Sequence, residues 1–222
     1  MSSLISAIFS GNVTVVIMLV IARAIVVFLC LPVHELCHGL AAYKLGDDTA
    51  KKMGRLSFNP IAHLDPLGTI MIFLFGIGYA KPVPINPLKF KDYRKGVALT
   101  ALAGPLSNLA MAFVSAFVSA AVLHFFSGAA AARVIAYLFS LTASINISLA
   151  VFNLLPIPPL DGSRIFAMIL PDRFYEKYFR YERVIMIVLM VLLFTGILNA
   201  PLAFLNNIFS NFIFFIPNLI FG

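Results

Sequence analysis

The sequence predicts an all-α polytopic membrane protein. It should have about five transmembrane helices, with a re-entrant, short-strand (β) region between the first and second spans. Three observations point there. Of 222 residues, 61% are hydrophobic and only 11% charged, where a soluble domain runs nearer half apolar and a quarter charged. Several apolar stretches approach or exceed the roughly 20 residues that carry a helix across a hydrocarbon core. The basic residues are also segregated: of 16 Lys and Arg, nine lie in 44–95 and five in 164–183, leaving Arg23 and Arg133. Spread over a soluble surface, a net charge of +7 would suit nucleic acid. Bunched into two loops it is the positive-inside pattern, and it implies a lipid bilayer and no nucleic acid as partner.

The chain reads as one domain, 1–222, in four stretches: 1–43, an N-terminal arm and first helix; 44–95, the re-entrant and strand region; 96–165, the rest of the core; and 166–222, C-terminal helices and a candidate gate. The start, Met1-Ser2-Ser3-Leu4, lacks the basic n-region and cleavage site of a signal peptide and is read as retained. From Arg23 to Lys44 is 21 residues, about 31 Å of helix, which matches one hydrocarbon core. Residues 4–22 should therefore project beyond that span, tilt strongly, or lie as an apolar arm against neighbours, with Ser10-Gly11-Asn12 as a weak turn signal. Pro32 lacks an N–H and should kink the helix.

In 44–95, Gly46, Gly54, Pro60, Pro66, Gly68, Pro82, Pro84 and Pro87 forbid a long helix. Arg55-Leu56-Ser57-Phe58 and Lys81-Pro82-Val83-Pro84-Ile85 read as short extended pieces, whose edge could receive a peptide as an added strand. The apolar run 69–79 is too short to span and suits a re-entrant segment. A second span covers 96–126, with Pro105 bending its start, and a third about 134–155, broken by Pro156, Pro158 and Pro159 before Leu160-Asp161-Gly162. The loop 163–183 carries mixed charge. Two further apolar segments, about 184–199 and 202–221, are separated by Asn199-Ala200-Pro201, candidate hinge points for a lateral gate. Cys30 and Cys37, seven residues apart on one helix, are about 10 Å apart and too far for a disulfide.

The chemistry concentrates in Val33-His34-Glu35-Leu36-Cys37-His38-Gly39. His34 and His38 lie one helical turn apart on one face, where two imidazoles can share a metal ion. Glu35 sits beside them as a candidate proton acceptor for a metal-activated water. Zinc suits imidazole nitrogen and carboxylate oxygen in a four-coordinate shell with an open position. Charged groups inside an apolar helix are costly, which makes function the default reading.

A catalytic zinc wants three protein ligands. His124 falls near the far end of the second span and is excluded. Asp161 and Asp65 are the acidic candidates. Topology favours Asp161, because the first and third spans both end on the basic side of the membrane. The alternative is that Asp161 caps the helix beginning at Gly162-Ser163-Arg164.

Four motifs in this order resemble the site-2 protease family of intramembrane zinc metalloproteases. They are His34-Glu35-Leu36-Cys37-His38; Asn59-Pro60-Ile61-Ala62-His63-Leu64-Asp65-Pro66-Leu67-Gly68; Ala103-Gly104-Pro105-Leu106-Ser107-Asn108; and Asn153-Leu154-Leu155-Pro156-Ile157-Pro158-Pro159-Leu160-Asp161-Gly162. Together they cover about 30–165. The resemblance implies one Zn2+ per chain on His34, His38 and Asp161, Glu35 as general base, and Asn153 near the substrate carbonyl. The alternative for Asn153 is interhelical hydrogen bonding, and Asn108 leans that way. His63 and Asp65 either line the substrate path and second coordination shell or hold a Pro-rich turn together. The resemblance further implies regulated intramembrane proteolysis of single-pass transmembrane substrates. The chain should be a multi-pass protein of a prokaryotic cell membrane, and with the basic loops cytoplasmic the site should lie nearer the cytoplasm.

Two features depart from many members of that family: no separate helix precedes the zinc helix, and no PDZ or CBS domain is present. Two rival functions use the same residues. A metal-ion transporter also builds sites from His, Asp and broken helices, but leaves Glu35 without a role. A proteolytically inactive scaffold would bind transmembrane segments without cutting them.

Overall fold

The computed structural model describes residues 4–75 and 80–222. A short helix α1 (Leu4–Phe9) ends at Ser10-Gly11, where Gly11 takes φ +69°. Asn12 then caps α2 (Val13–Ile25), its side chain accepting from the Val15 N–H. The weak turn signal is thus a true break, because glycine tolerates the left-handed turn and asparagine satisfies a first-turn amide. From α2 the chain passes through a π-helical turn, Val26–Cys30, into α3 (Leu31–Lys44). The helix distortion expected at Pro32 takes this form: a wide turn directly before a residue that cannot donate. Residues 13–22 run into the histidine-bearing helix without a loop, as their unbroken apolar sequence implies. They belong to one continuous span of 32 residues, Val13–Lys44.

Four helices among the described residues are long and apolar enough to cross a membrane: Val13–Lys44, Tyr93–Phe126, Ala130–Asn153 and Asn199–Phe221. The expected fifth span is not among them. The apolar segment after the charged loop forms a helix of 13 residues, Glu182–Phe194, about 20 Å long against a core of about 30 Å. It stops at a turn where Gly196 has φ +75°. That break, rather than Asn199 or Pro201, separates the last two helices.

Between the first two spans lie α4 (Thr49–Lys52), α5 (Pro60–His63) and α6 (Pro66–Phe75), followed by a 3-10 turn at Pro87–Lys89. No strand forms there among the described residues. Pro82 and Pro84 have no N–H, which leaves 81–85 with donors on one edge only, and the Lys81 and Val83 amides of that edge go to the His63 carbonyl and to Glu35. The Arg55 side chain joins the pieces 55–58 and 81–85 instead, donating to the carbonyls of Lys81 and Pro82. The end of the expected re-entrant run, 76–79, lies outside the described residues.

The second span, α7 (Tyr93–Phe126), begins at the Asp92 cap, whose side chain accepts from the Lys95 N–H. Pro105 therefore lies well inside the helix rather than at its start. One face of α7 carries Ala101, Gly104, Ser107, Asn108, Ala112, Ser115, Ala116 and Ser119, all buried. Small residues at helical spacing let backbones approach closely without lipid between them. Against this face pack α3, α8 (Ala130–Asn153), α9 (Asp161–Ala167) and the last helix. The core beneath the site joins Ala22, Val26, Val27, Cys30 and Leu31 to Ile72, Ile145 and Leu149. The expected loop 163–183 is largely helical, forming α9 and α10 (Asp172–Arg180). After these come α11 (Glu182–Phe194) and α12 (Asn199–Phe221).

Candidate metal centre

Helical spacing puts His34 and His38 on the buried face of α3, where they are 5% and 7% exposed. Their Nε2 atoms lie 3.0 Å apart. The third group arrives from the end of α8 through the proline-rich turn 154–160. Gly162 lets that turn fold tightly, since a Cβ there would overlap the main chain of Leu154 and Leu155. The turn delivers Asp161 as the first residue of α9. Its Oδ2 lies 3.4 Å from His34 Nε2 and 3.3 Å from His38 Nε2. The cap of α9 is Leu160, without a side-chain cap bond, so the Asp161 carboxylate faces the imidazoles rather than capping its helix.

Ligands about 2.0–2.1 Å from a tetrahedral zinc sit about 3.3 Å from one another. The three separations of 3.0, 3.3 and 3.4 Å match that spacing, and the donor set of two imidazoles and a carboxylate fits zinc. The surroundings fit as well. His38 Nδ1 lies 2.7 Å from the main-chain oxygen of Thr100, so a proton on Nδ1 donates to that carbonyl and leaves the Nε2 lone pair for a metal. Gly104 of α7 makes the cradle, because a Cβ there would overlap both His38 and His34. The Nδ1 atom of His34 is buried without a partner among the described residues. Burial raises the Asp161 carboxyl, but the adjacent imidazoles outweigh it and hold the group below the ordinary carboxylate range.

Glu35 is 8% exposed and its Oε2 accepts the Val83 N–H at 2.9 Å. The remaining expected residues are placed as follows. Asn153 is the last residue of α8, half-buried where the chain turns towards Asp161. Asn108 is fully buried one turn beyond Gly104 on α7, with neither side-chain polar atom partnered among the described residues. His63 and Asp65 are engaged in their own turn. His63 Nε2 lies 2.8 Å from the Ser57 carbonyl, and Asp65 accepts the Gly68 N–H at 2.9 Å. His124 sits near the end of α7, its Nδ1 3.1 Å from the Phe221 carbonyl. Cys30 and Cys37 are free thiols.

Three contributors escaped sequence reasoning. The Thr100 carbonyl and the Val83 N–H are main-chain groups with no residue-type signature. Gly104 had a signal, the Ala103-Gly104-Pro105 run, but read only as close helix approach and not as contact with the metal-facing imidazoles.

The profile of peptidase family M50 matches residues 120–198, a stretch that carries Asn153 and Asp161. "Putative zinc metalloprotease YwhC" of Bacillus subtilis is 45% identical over 165 residues, covering 73% of this chain and 75% of that protein. "Putative zinc metalloprotease Rip2" of Mycolicibacterium smegmatis is 33% identical over 144 residues, covering 60% of this chain and 51% of that protein. "Putative zinc metalloprotease MJ0611" of Methanocaldococcus jannaschii is 34% identical over 134 residues, covering 60% and 62%. The chain thus spans three quarters of YwhC but only about half to three fifths of the other two. No solved structure matches it significantly. Two imidazoles and a carboxylate brought together from distant spans, a glutamate beside them, and the extent of the match to YwhC agree: the chain belongs to the M50 peptidase family, the site-2 proteases.

Proposed function

We propose that this protein is an intramembrane zinc endopeptidase that hydrolyses peptide bonds within or near transmembrane helices of single-pass substrates, in regulated intramembrane proteolysis. The observation that carries the reading is the convergence of His34, His38 and Asp161, whose ligand atoms all lie within 4.8 Å of one another. In this reading those three residues hold one zinc ion per chain. Bound there, zinc supplies Lewis acidity, which polarises a carbonyl and lowers the pKa of a coordinated water towards about 7.

The chain's own residues do the rest. Thr100 holds His38 in the tautomer that presents Nε2. Glu35 takes the proton of the attacking water and returns it to the amide nitrogen as the peptide bond breaks. Asn153 donates from its side-chain amide to the developing oxyanion, an interaction worth about 3–4 kcal/mol where measured elsewhere. The clustered Lys and Arg of the loops support a site nearer the cytoplasmic side, where the first and third spans would both end.

The test compares wild-type protein with Glu35→Gln in proteoliposomes containing a single-pass test substrate. Wild type should cleave it, and the variant should bind zinc with the same stoichiometry while cleaving at least about a thousandfold more slowly. Retained cleavage by Glu35→Gln would overturn the mechanism, and zinc flux without cleavage would establish a transporter instead.

A further inference from the structure

We propose that segment 81–86 is a rigid strap whose Val83 N–H positions the Glu35 carboxylate for proton transfer. The inference rests on the reading of Glu35 as general base and assigns Val83 as a positioning residue. A buried carboxylate must find hydrogen-bond donors. Glu35 Oε2 finds one in the Val83 N–H, at 2.9 Å in a buried contact. The local sequence is Lys81-Pro82-Val83-Pro84-Ile85. Prolines on both sides remove the neighbouring N–H groups and fix their own φ. They also confine Lys81 and Val83 to extended backbone. The strap therefore presents one isolated donor in a stiff frame.

The Val83 side chain fixes the register. It is 6% exposed and seats beside Gly39, where a Cβ would meet Val83 Cγ1 at 3.2 Å and overlap Leu56. Gly39 lies one turn along α3 from Glu35, on the same face. Seating the side chain at Gly39 therefore brings the amide to Glu35.

Independent tethers hold both ends of the strap. The Lys81 N–H donates to the His63 carbonyl at 2.8 Å. Arg55 Nη2 donates to the carbonyls of Lys81 and Pro82 at 3.0 and 3.3 Å. At the far end the Asn86 N–H donates to Asp47 Oδ2 at 2.6 Å. With Oε2 held this way the carboxylate cannot swing, and Oε1 is the oxygen presented for proton transfer.

Two measurements test this on the full-length, zinc-loaded protein. Amide exchange needs no substrate, and between 81 and 86 only Lys81, Val83, Ile85 and Asn86 carry amide protons. Val83 should exchange at least tenfold more slowly in wild type than in Glu35→Ala; equal rates would overturn the contact. In proteoliposomes with a single-pass test substrate, Val83→Pro should lower kcat by about 10- to 100-fold. KM and zinc stoichiometry should stay as in wild type. Val83→Ile, which keeps both the N–H and the branched side chain at Gly39, should recover most of that kcat. If Val83→Pro does not fold, an ester in place of the Pro82–Val83 amide deletes the same proton and should give the same loss.

Wild-type turnover by the proline or ester variant would overturn the inference, and so would a loss in Val83→Ile as deep as in Val83→Pro. If Glu35→Gln is inactive while Val83→Pro is fully active, this inference alone fails. If Glu35→Gln is active, the reading of Glu35 fails.

Discussion

Gly104 of α7 lies against the edge of the His38 imidazole, nearer than any residue carrying a Cβ could be placed. The same position touches His34 Cε1, which a Cβ would meet at 2.6 Å. The two rings thus lie against one stretch of α7 backbone, where the Thr100 carbonyl and the bare Gly104 stand one turn apart.

Gly104→Ala should therefore act on the metal and not only on packing. Overfilling a tight core typically costs about 1–3 kcal/mol, and here the atoms that must move are the ligand rings themselves. Zinc affinity, measured by competition with a chromogenic chelator, should fall about 10- to 100-fold. Ala103→Gly, one residue away, should leave it within about threefold.

Stripping zinc should destabilise the fold, because the three ligands tie α3 to the start of α9. A site filled at a thousand times its Kd adds about 4 kcal/mol of stability. The melting temperature should drop on chelation and recover with added zinc. Asp161→Ala should melt near the stripped wild type and respond little to zinc. The chain contains no tryptophan, so circular dichroism at 222 nm is the suitable readout.

Asp47 predicts an acid limb to stability. Its side chain is buried and accepts from the Thr49 N–H at 3.0 Å, the Thr49 hydroxyl at 2.5 Å and the Asn86 N–H at 2.6 Å. Burial raises its pKa, but these donors and Lys89 outweigh it and the net shift is downward. A depressed folded-state value means the stabilisation is complete above the unfolded value of 3.8 and disappears as pH falls below it. Asp47→Ala should cost about 2–3 kcal/mol at neutral pH, because three donors lose their acceptor. It should also flatten the decline in melting temperature between about pH 4 and pH 2.

His63 should prove structural. Its ring is fully buried and bonds the Ser57 carbonyl, while its own carbonyl accepts from Lys81. His63→Ala should lower stability by about 1–3 kcal/mol with zinc stoichiometry unchanged. A loss of zinc with stability intact would place His63 at the metal instead.

Much of this was legible from residue order alone. The helical repeat sets His34 and His38 on one face whatever surrounds them. The apolar lengths and the clustered Lys and Arg dictate spanning helices, since lipid tolerates neither unpaired backbone nor stranded charge. What eluded the sequence had two causes. Span boundaries depend on where a helix is capped, so the segment after Arg183 read as a fifth span yet ends at Phe194. The 44–95 region read as extended pieces with an edge, whereas the Lys81 and Val83 amides that could pair along it are taken by the His63 carbonyl and Glu35.

The sequence by itself determined the donor chemistry: two imidazoles one turn apart, a glutamate between them, and aspartates as candidates for the third ligand. Topology already favoured Asp161, and only the tertiary structure decided where each carboxylate sits. It set Asp161 3.3 Å from His38 and kept Asp65 in its own turn at Gly68. The physical reason is that local periodicity orients side chains within one helix. The meeting of α3, α7 and the turn before α9 depends instead on backbone contacts at Gly104, Thr100 and Gly162, whose partners local periodicity does not specify.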